Sequence, residues 1–534
     1  MVAGYLMSYL WILQHSDRGL KQRFLDTFFG VVKSIPIVRK TLDKEVTTVK
    51  AELMETIHHQ DKYRIFHKRI PFVGFEAEDL IKKTSEYTQM ETIKYYHGKV
   101  SGAVFNEKDQ SEEMKVFRKV FDEFAWSNPL WPKLYPGVRK MEAEVVRMCC
   151  DLLHGDEKTC GTMSTGGSIS ILLGCLAHRN RALARGVLFP EMIVPTSAHA
   201  AFFKAAEVFR MRVVKVSVDA DYRVNVSEME RKISSRTCMH VLGGCSNTRL
   251  YLAFQLVGSA PNFPFGTIDD IPAIGQLGVK YGIPVHVDAC LGGFILPFLE
   301  DAPAFDFAVP GVSSVSADTH KYGLAPKGSS VILYKSDEYR KYQYFADVDW
   351  QGGIYASATL EGSRSGLNIA LCWAALLFNG MNTYTNNARL IAETTRRIRD
   401  GIAEIPELRL QGSSDTCIVS WTSDIINIHR VHDTLGELGW QLSALQFPNG
   451  IHIMVTLNHT KLGVVENLIR DIRDAVDFVK NSGKTKDSGT AALYGMTQRI
   501  PDRSIVKEFT TAYLDACYSL PDDEDDEKHK TCIE

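Results

Sequence analysis

Short apolar runs and helical stripes divide the chain into stretches of different character. Residues 1–95 carry helical patterning rich in charge, with only Pro36 and Pro71 as strong breakers, and predict a helical N-terminal extension. From 96 to 375, β-branched runs alternate with helical segments: Met192-Ile193-Val194, Val213 to Val216, Val285-His286-Val287 and Ser330 to Leu333. Such alternation predicts an α/β domain, a mainly parallel sheet covered by helices. A long helical pattern from Ile369 to Phe378 leads into mixed strands and helices over 376–520, including Cys417 to Ser420 and Gly450 to Val455. That region reads as a smaller C-terminal α/β domain. The acidic run Asp522 to Glu527 places 521–534 as a solvated, disordered tail.

The first residues qualify the picture at the other end. Val2 to Leu13 is mostly apolar but spans only twelve residues, against the roughly twenty that a membrane-crossing helix needs. It has neither the basic start nor the small-residue cleavage site of a signal peptide. Behind it Leu20, Phe24, Leu25, Phe28, Phe29, Val32 and Ile35 recur at helical spacing among Lys21, Arg23, Lys33, Arg39 and Lys40. This pattern fits an interfacial helix on a membrane, or equally a helix docked on protein.

Composition narrows the chemistry by exclusion. A net charge of -3 over 534 residues gives no general attraction to nucleic acid. The eleven cysteines are scattered, without a C-x-x-C pair or zinc-type spacing, so buried thiols in a reducing compartment are expected and no metal site. Cys149, Cys150 and Cys290 lie in apolar surroundings and are assigned to packing.

Three elements carry candidate chemistry. Ser164-Thr165-Gly166-Gly167-Ser168 precedes a buried helical run, and a helix N-terminus reached through glycines offers free N–H groups to a phosphate. Alone it is also an ordinary capped loop. Asp288 closes the apolar run Val285-His286-Val287 ahead of Leu291-Gly292-Gly293, at a strand end where α/β sheets bind ligands. Lys321, in Ser316-Ala317-Asp318-Thr319-His320-Lys321-Tyr322-Gly323, is a candidate Schiff-base lysine, expected to be kept partly neutral by burial and by the neighbouring cations His320 and Lys327. Each element alone has a bland reading as loop, cap or surface residue. Together they describe pyridoxal 5'-phosphate: phosphate at a helix start, ring nitrogen at Asp288, aldehyde carbon at Lys321. His199, in Thr196-Ser197-Ala198-His199, is a candidate to stack on the pyridine ring.

With these residues in view, the chain from about 98 to 517 resembles the sphingosine-1-phosphate lyase family of fold-type-I pyridoxal-phosphate enzymes. The most specific stretches are His286 to Phe294, Ser316 to Lys327 and Asp349 to Ser357. The resemblance implies Lys321 as the cofactor-bearing lysine, Asp288 at the pyridine nitrogen, His199 on the ring, and Gly167, Ser168 and His320 near the cofactor phosphate. It places Lys327 and Tyr355 near the substrate phosphate and Gly362-Ser363-Arg364 as a segment contributed across a homodimer. The implied reaction is retro-aldol cleavage of a phosphorylated sphingoid base to a long-chain aldehyde and phosphoethanolamine. The implied location is the endoplasmic reticulum membrane, with the catalytic domain in the cytosol.

The chain also departs from the family. Phe105 stands where many relatives carry tyrosine, Trp131 where they often carry histidine, and Ile169 where an acid is common. Residues His240 to Gln255 form an apparent insertion inside an expected buried strand, where backbone polar groups would need new partners. Two readings stay open: a retained intron or gene-model error, with a 3' splice site encodable at Phe254-Gln255, or a surface bulge with Val257-Gly258 or its near-copy Leu242-Gly243 filling the strand. A pyridoxal-dependent amino-acid decarboxylase and a catalytically silent paralogue are the alternative functions.

Overall fold

The structure, a computed structural model, describes residues 28–29, 32–61, 66–107, 111–237, 249–482 and 503–520. The described residues fall into two compact units, one holding 95–482 and the other 28–94 with 503–520. Val2 to Leu13, most of the amphipathic pattern from Leu20, and the tail 521–534 lie outside the described residues.

In the first unit, α1 (Ser111–Phe124) and α2 (Pro136–Leu152) precede β1 (Cys160–Ser164), α3 (Gly167–Ala184), β2 (Val187–Pro195), α4 (Ala200–Val208) and β3 (Arg212–Val216). There follow α5 (Val226–Thr237), β4 (Arg249–Ser259), α6 (Ile271–Tyr281), β5 (Val285–Asp288), β6 (Val312–Ala317) and β7 (Ser330–Tyr334). The strands form one seven-stranded sheet in the order β1-β7-β6-β5-β4-β2-β3. Neighbours from β3 through β6 run parallel, and β7 alone is reversed against β6 and β1. The apolar runs read from the sequence are these strands, and β5, β6 and β7 are buried at every position. That continuous burial is what a sheet covered on both faces requires. Gly174 lets α3 lie close over β5, since a Cβ there would sit 3.2 Å from the His286 ring.

Beyond a short hairpin, β8 (Phe345–Asp347) with β9 (Tyr355–Ser357), comes α7 (Gly366–Ala403), broken at Gly380 where φ is 63°. A second, antiparallel sheet has the order β10-β11-β13-β12, from β10 (Arg409–Gln411), β11 (Ile418–Thr422), β12 (Ser443–Leu445) and β13 (Gly450–Met454). It is tied back to the lysine loop by the Tyr322 hydroxyl, which donates to Val455 O at 2.7 Å. Cys149 and Cys150 are buried on α2 and pack in the main core. In the second unit, helix Pro36–Ile57 packs on helix Arg503–Tyr518, with Arg39 3.7 Å from Glu508 and Lys50 4.0 Å from Asp515.

The apparent insertion does not bulge out as a loop over its whole length. Residues 249–255 extend β4, and Phe254, Gln255, Leu256 and Val257 are all buried in it. Val257-Gly258 fills the strand beside Val287 of β5, while Leu242-Gly243 lies outside the described residues. Backbone pairing along β2 accommodates the extra residues through a bulge, where Glu191 faces Ala253 and Met192 faces Gln255. The cost falls on Gln255: neither amide atom has a geometric hydrogen-bond partner, and the Cys175 sulfur, a weak one, lies near.

Candidate functional site

All the parallel strands deliver their carboxyl ends to one edge of the sheet. Asp288 is the last residue of β5, Asp318 follows β6, and His199 follows β2. At this edge a cavity of about 340 Å³ is lined by Gly166, Gly167, Ser168, His199, His320 and Lys321, together with Thr165, Ile169, Ile171, Cys290 and Asp318. That volume suits a small-molecule site. Asp288, Lys327, Tyr355 and the segment Gly362 to Arg364 are not among the lining residues, although Cys290, whose N–H bonds Asp288, is.

The start of α3 is shaped to receive an anion. Gly166 has φ 154°, a backbone conformation that favours glycine, and lies in van der Waals reach of the His320 ring. At Gly167 a Cβ would strike both Asp318 carboxylate oxygens at 2.6 Å. The N–H groups of Gly167 and Ser168 begin the helix and have no intrahelical acceptor. A chain of hydroxyls pins this loop to the lysine loop. Ser164 Oγ meets Ser170 Oγ at 2.8 Å, Ser170 meets Ser330 at 2.8 Å, and Ser330 donates to Ala317 O at 3.1 Å.

Lys321 Nζ lies 2.9 Å from Asp318 Oδ2 and is largely enclosed. Here the sequence expectation of a partly neutral lysine is overturned. Burial, the largest single influence, pushes the ammonium down, but Asp318, Cys290 and Asp288 together outweigh it and the Lys321 pKa is raised. Asp318 itself is held below its ordinary value: burial raises it, and Lys321 and His320 together more than offset that. Its role was missed because a Ser-Ala-Asp turn looks like any loop, yet its signal was present as an acid three residues before the lysine. His320 is pushed down, chiefly by burial, and its Nδ1 accepts from Ser329 N at 3.2 Å.

His199 caps α4, its Nδ1 accepting from Ala201 N at 3.2 Å, so Nε2 carries the proton of the neutral ring. Asp288 accepts the Cys290 N–H on Oδ1 at 3.1 Å, and Oδ2 accepts nothing from the described residues. Lys327 sits beyond the cavity, its Nζ 4.8 Å from the Phe105 ring centre and 3.5 Å from His320 O; burial pushes its pKa down, and Lys321 adds to this. Phe105 is buried edge-on against Tyr322, at 4.8 Å between ring centres, whereas Trp131 is 61% exposed. The Tyr355 hydroxyl packs against Gly362. Arg364 turns inward, its two guanidinium nitrogens each donating to Glu142 at 2.9 Å, and Ser363 accepts from Asn128 at 3.0 Å.

These residues fit pyridoxal phosphate on their own terms: a free helix start for the phosphate, an uncommitted carboxylate oxygen, and an amine at the cavity wall. Comparison with known proteins agrees. Residues 127–421 match the pyridoxal-dependent decarboxylase conserved domain. Sphingosine-1-phosphate lyase 1 of Rattus norvegicus is 40% identical over 529 residues, covering 97% of this chain and 90% of the rat protein. The chain belongs to the sphingosine-1-phosphate lyase family. The Drosophila melanogaster lyase is 41% identical over 96% of this chain and 92% of its own length. Among solved structures, the lyase of Burkholderia pseudomallei superposes with a TM-score of 0.75 at 34% identity, covering 87% of this chain and 99% of that one. Lactobacillus brevis glutamate decarboxylase, at 18% identity and a TM-score of 0.65 over 80% of this chain and 99% of its own, shares the fold. The family carries with it the fold-type-I architecture, in which one strand of a mostly parallel seven-stranded sheet is reversed, and dependence on pyridoxal phosphate.

Proposed function

We propose that the protein cleaves the C2–C3 bond of phosphorylated sphingoid bases, yielding a long-chain aldehyde and phosphoethanolamine. Membership of the lyase family over nearly the whole chain carries this reading. Bound pyridoxal phosphate supplies the electron sink that accepts the C2–C3 bonding pair. In this reading Lys321 Nζ would hold the cofactor and, while substrate occupies the site, would be the amine placed to deliver a proton to C2. Gly167 and Ser168 receive the cofactor phosphate, with His320 beside them. Asp288 offers Oδ2 to the pyridine nitrogen, and His199 covers the ring. The C3 hydroxyl proton leaves as the aldehyde forms, so the substrate's atoms are conserved in the two products.

Lys327 and Tyr355 are assigned to the substrate phosphate. Lys327 packs on Phe105, and its Nζ lies 3.5 Å from O of His320, a residue that lines the cavity. The active unit is proposed as a homodimer in which Gly362 to Arg364 approach the partner's site. Exposed Trp126 and Trp131 beside Asn128, with Trp350 and Ile354 on the preceding hairpin, supply the apolar surface for such an interface. No described helix is long and apolar enough to cross a membrane. Association with the endoplasmic reticulum membrane, with the catalytic residues on the cytosolic side, is what the family resemblance implies, and the basic amphipathic pattern after Leu20 is compatible with it.

The function is tested by incubating the purified protein with sphingosine-1-phosphate and measuring both products. Aldehyde and phosphoethanolamine in equal amounts support the lyase, whereas carbon dioxide released from an amino acid supports a decarboxylase. Sedimentation equilibrium tests the dimer, and flotation with liposomes tests the membrane association.

A further inference from the structure

Behind Asp288 runs a line of buried polar side chains with no part in the reaction proposed above. His178 Nε2 on α3 meets Ser314 Oγ at 3.0 Å, Ser314 Oγ meets His286 Nδ1 at 2.8 Å, and His286 Nε2 meets Ser316 Oγ at 3.3 Å. Ser316 Oγ then reaches Asp288 Oδ1 at 3.5 Å, the longest link. Ser314, Ser316 and His286 are wholly buried, and His178 nearly so.

The carboxylate end sets the direction of the protons along this line. A carboxylate only accepts, so Ser316 must donate to Asp288 and in turn accept from His286 Nε2. A neutral imidazole protonated at Nε2 accepts at Nδ1, so Ser314 donates there and accepts from His178 Nε2. His178 then ends the line with Nδ1 as an acceptor, and that atom is the one buried without a partner. Burial keeps both rings neutral, pushing His178 well down and His286 to about 4, as the pattern demands. The Cys290 thiol, kept protonated by burial, donates to Ser316 Oγ at 3.5 Å and strengthens the same arrangement. All the dipoles point one way, and aligned hydrogen bonds polarise one another.

We propose that Ser316, His286, Ser314 and His178 are positioning residues that aim an ordered line of donors at Asp288 Oδ1 and so reserve Oδ2 for the pyridine nitrogen. The inference rests on the cofactor reading above. It assigns to the His286-Val287-Asp288 stretch a reason for its histidine: in β5, residues two apart face the same side, and His286 lies directly behind Asp288.

The test measures pyridoxal phosphate affinity and the position of the visible band of the bound cofactor in the full-length protein. Ser316→Ala should weaken binding about tenfold, as expected for loss of a hydrogen bond to a charged group. Ser314→Ala, which touches neither Asp288 nor the cavity, should weaken it by roughly threefold, and both should shift the band. The double variant should match Ser316→Ala alone, because the line is already cut. Ser316→Thr keeps the hydroxyl and should restore both readouts. Ser420→Ala, a buried hydroxyl lost from the other sheet, should lower the melting temperature without moving either. His178→Leu removes the terminal donor and must move the readouts in the same direction as Ser314→Ala, giving a second route should that variant not fold. Wild-type affinity and band in both Ser314→Ala and His178→Leu, or additive effects of the two serine substitutions, would overturn the proposal. A wild-type protein that binds no pyridoxal phosphate would instead remove the cofactor reading itself.

Discussion

Replacing Asp318 with Asn removes the counter-charge of Lys321 while preserving the side chain's shape. At 2.9 Å and an effective dielectric of about 20, the attraction between the pair is about 6 kcal/mol, and enclosing the charges costs several kcal/mol in return. The Lys321 pKa is raised because Asp318, with smaller help from Cys290 and Asp288, offsets the burial. With Asp318 neutralised, burial becomes the controlling influence and the amine loses its proton more readily. A net change of only about 1.4 kcal/mol multiplies the neutral fraction by ten. Only the neutral amine can attack the cofactor aldehyde, so the apoenzyme of Asp318→Asn should capture pyridoxal phosphate at least about tenfold faster at pH 7 to 8. Its capture rate should also level off at lower pH than wild type. The substitution meanwhile strands part of a buried pair, so stability at neutral pH should fall, by up to about 3 kcal/mol. Stopped-flow absorbance of the lysine-bound cofactor reads the first effect and urea unfolding the second. A folded Asp318→Asn protein that captures the cofactor at the wild-type rate, with the wild-type pH dependence, would refute the assignment of Asp318 as the group that keeps Lys321 charged.

Other substitutions and conditions give further checks. Gln255→Met keeps the side-chain size and removes two buried amide atoms without formed hydrogen bonds, so it should stabilise the protein by about 2 kcal/mol in urea unfolding; destabilisation would show that the amide is satisfied. Burial pushes the pKa values of His286, His452 and His459 down to about 4 in the folded protein. Their folded values lie below the ordinary one, so stability is full above about pH 6.5 and is lost as pH falls toward 4, by up to roughly 3 kcal/mol per residue; a urea midpoint unchanged between pH 7 and pH 5 would contradict this. Lys327→Met should raise KM for the phosphorylated substrate by at least about tenfold with a smaller change in kcat, the pattern of lost ground-state binding; an unchanged KM would remove Lys327 from the substrate site.

Much of the fold was legible because burial on both faces leaves unmistakable β-branched runs, and β2, β3, β5 and β7 were each found that way. The cavity wall was legible where a residue type has few other uses, as with Gly166-Gly167 at a helix start and the lysine after His320. Pairwise charge was not. The sequence showed His320 and Lys327 beside Lys321 and suggested a suppressed ammonium, but which neighbour controls a charge depends on distance, and Asp318 is the one in contact. The polar line behind Asp288 was invisible for a similar reason. It joins α3, β5 and β6, and only the sheet register, Asp288 opposite Ser316 and His286 opposite Ser314, brings its members together. The extra segment was recognisable as foreign to a buried strand, yet its last residues are apolar enough to be absorbed into β4, with Gln255 the misfit. Removing 240–255 would place Met239 directly before Leu256, an apolar residue in the position Gln255 now occupies. Sequencing the mature transcript decides whether the native message encodes that segment.

The lyase reading is tested most directly by the products formed from sphingosine-1-phosphate by the purified, cofactor-loaded protein, with Lys321→Ala in parallel. Equal amounts of long-chain aldehyde and phosphoethanolamine from the wild type, and neither from Lys321→Ala, are the predicted result. A folded wild-type protein that carries the cofactor and yields no aldehyde, or equal yields from both proteins, would contradict it.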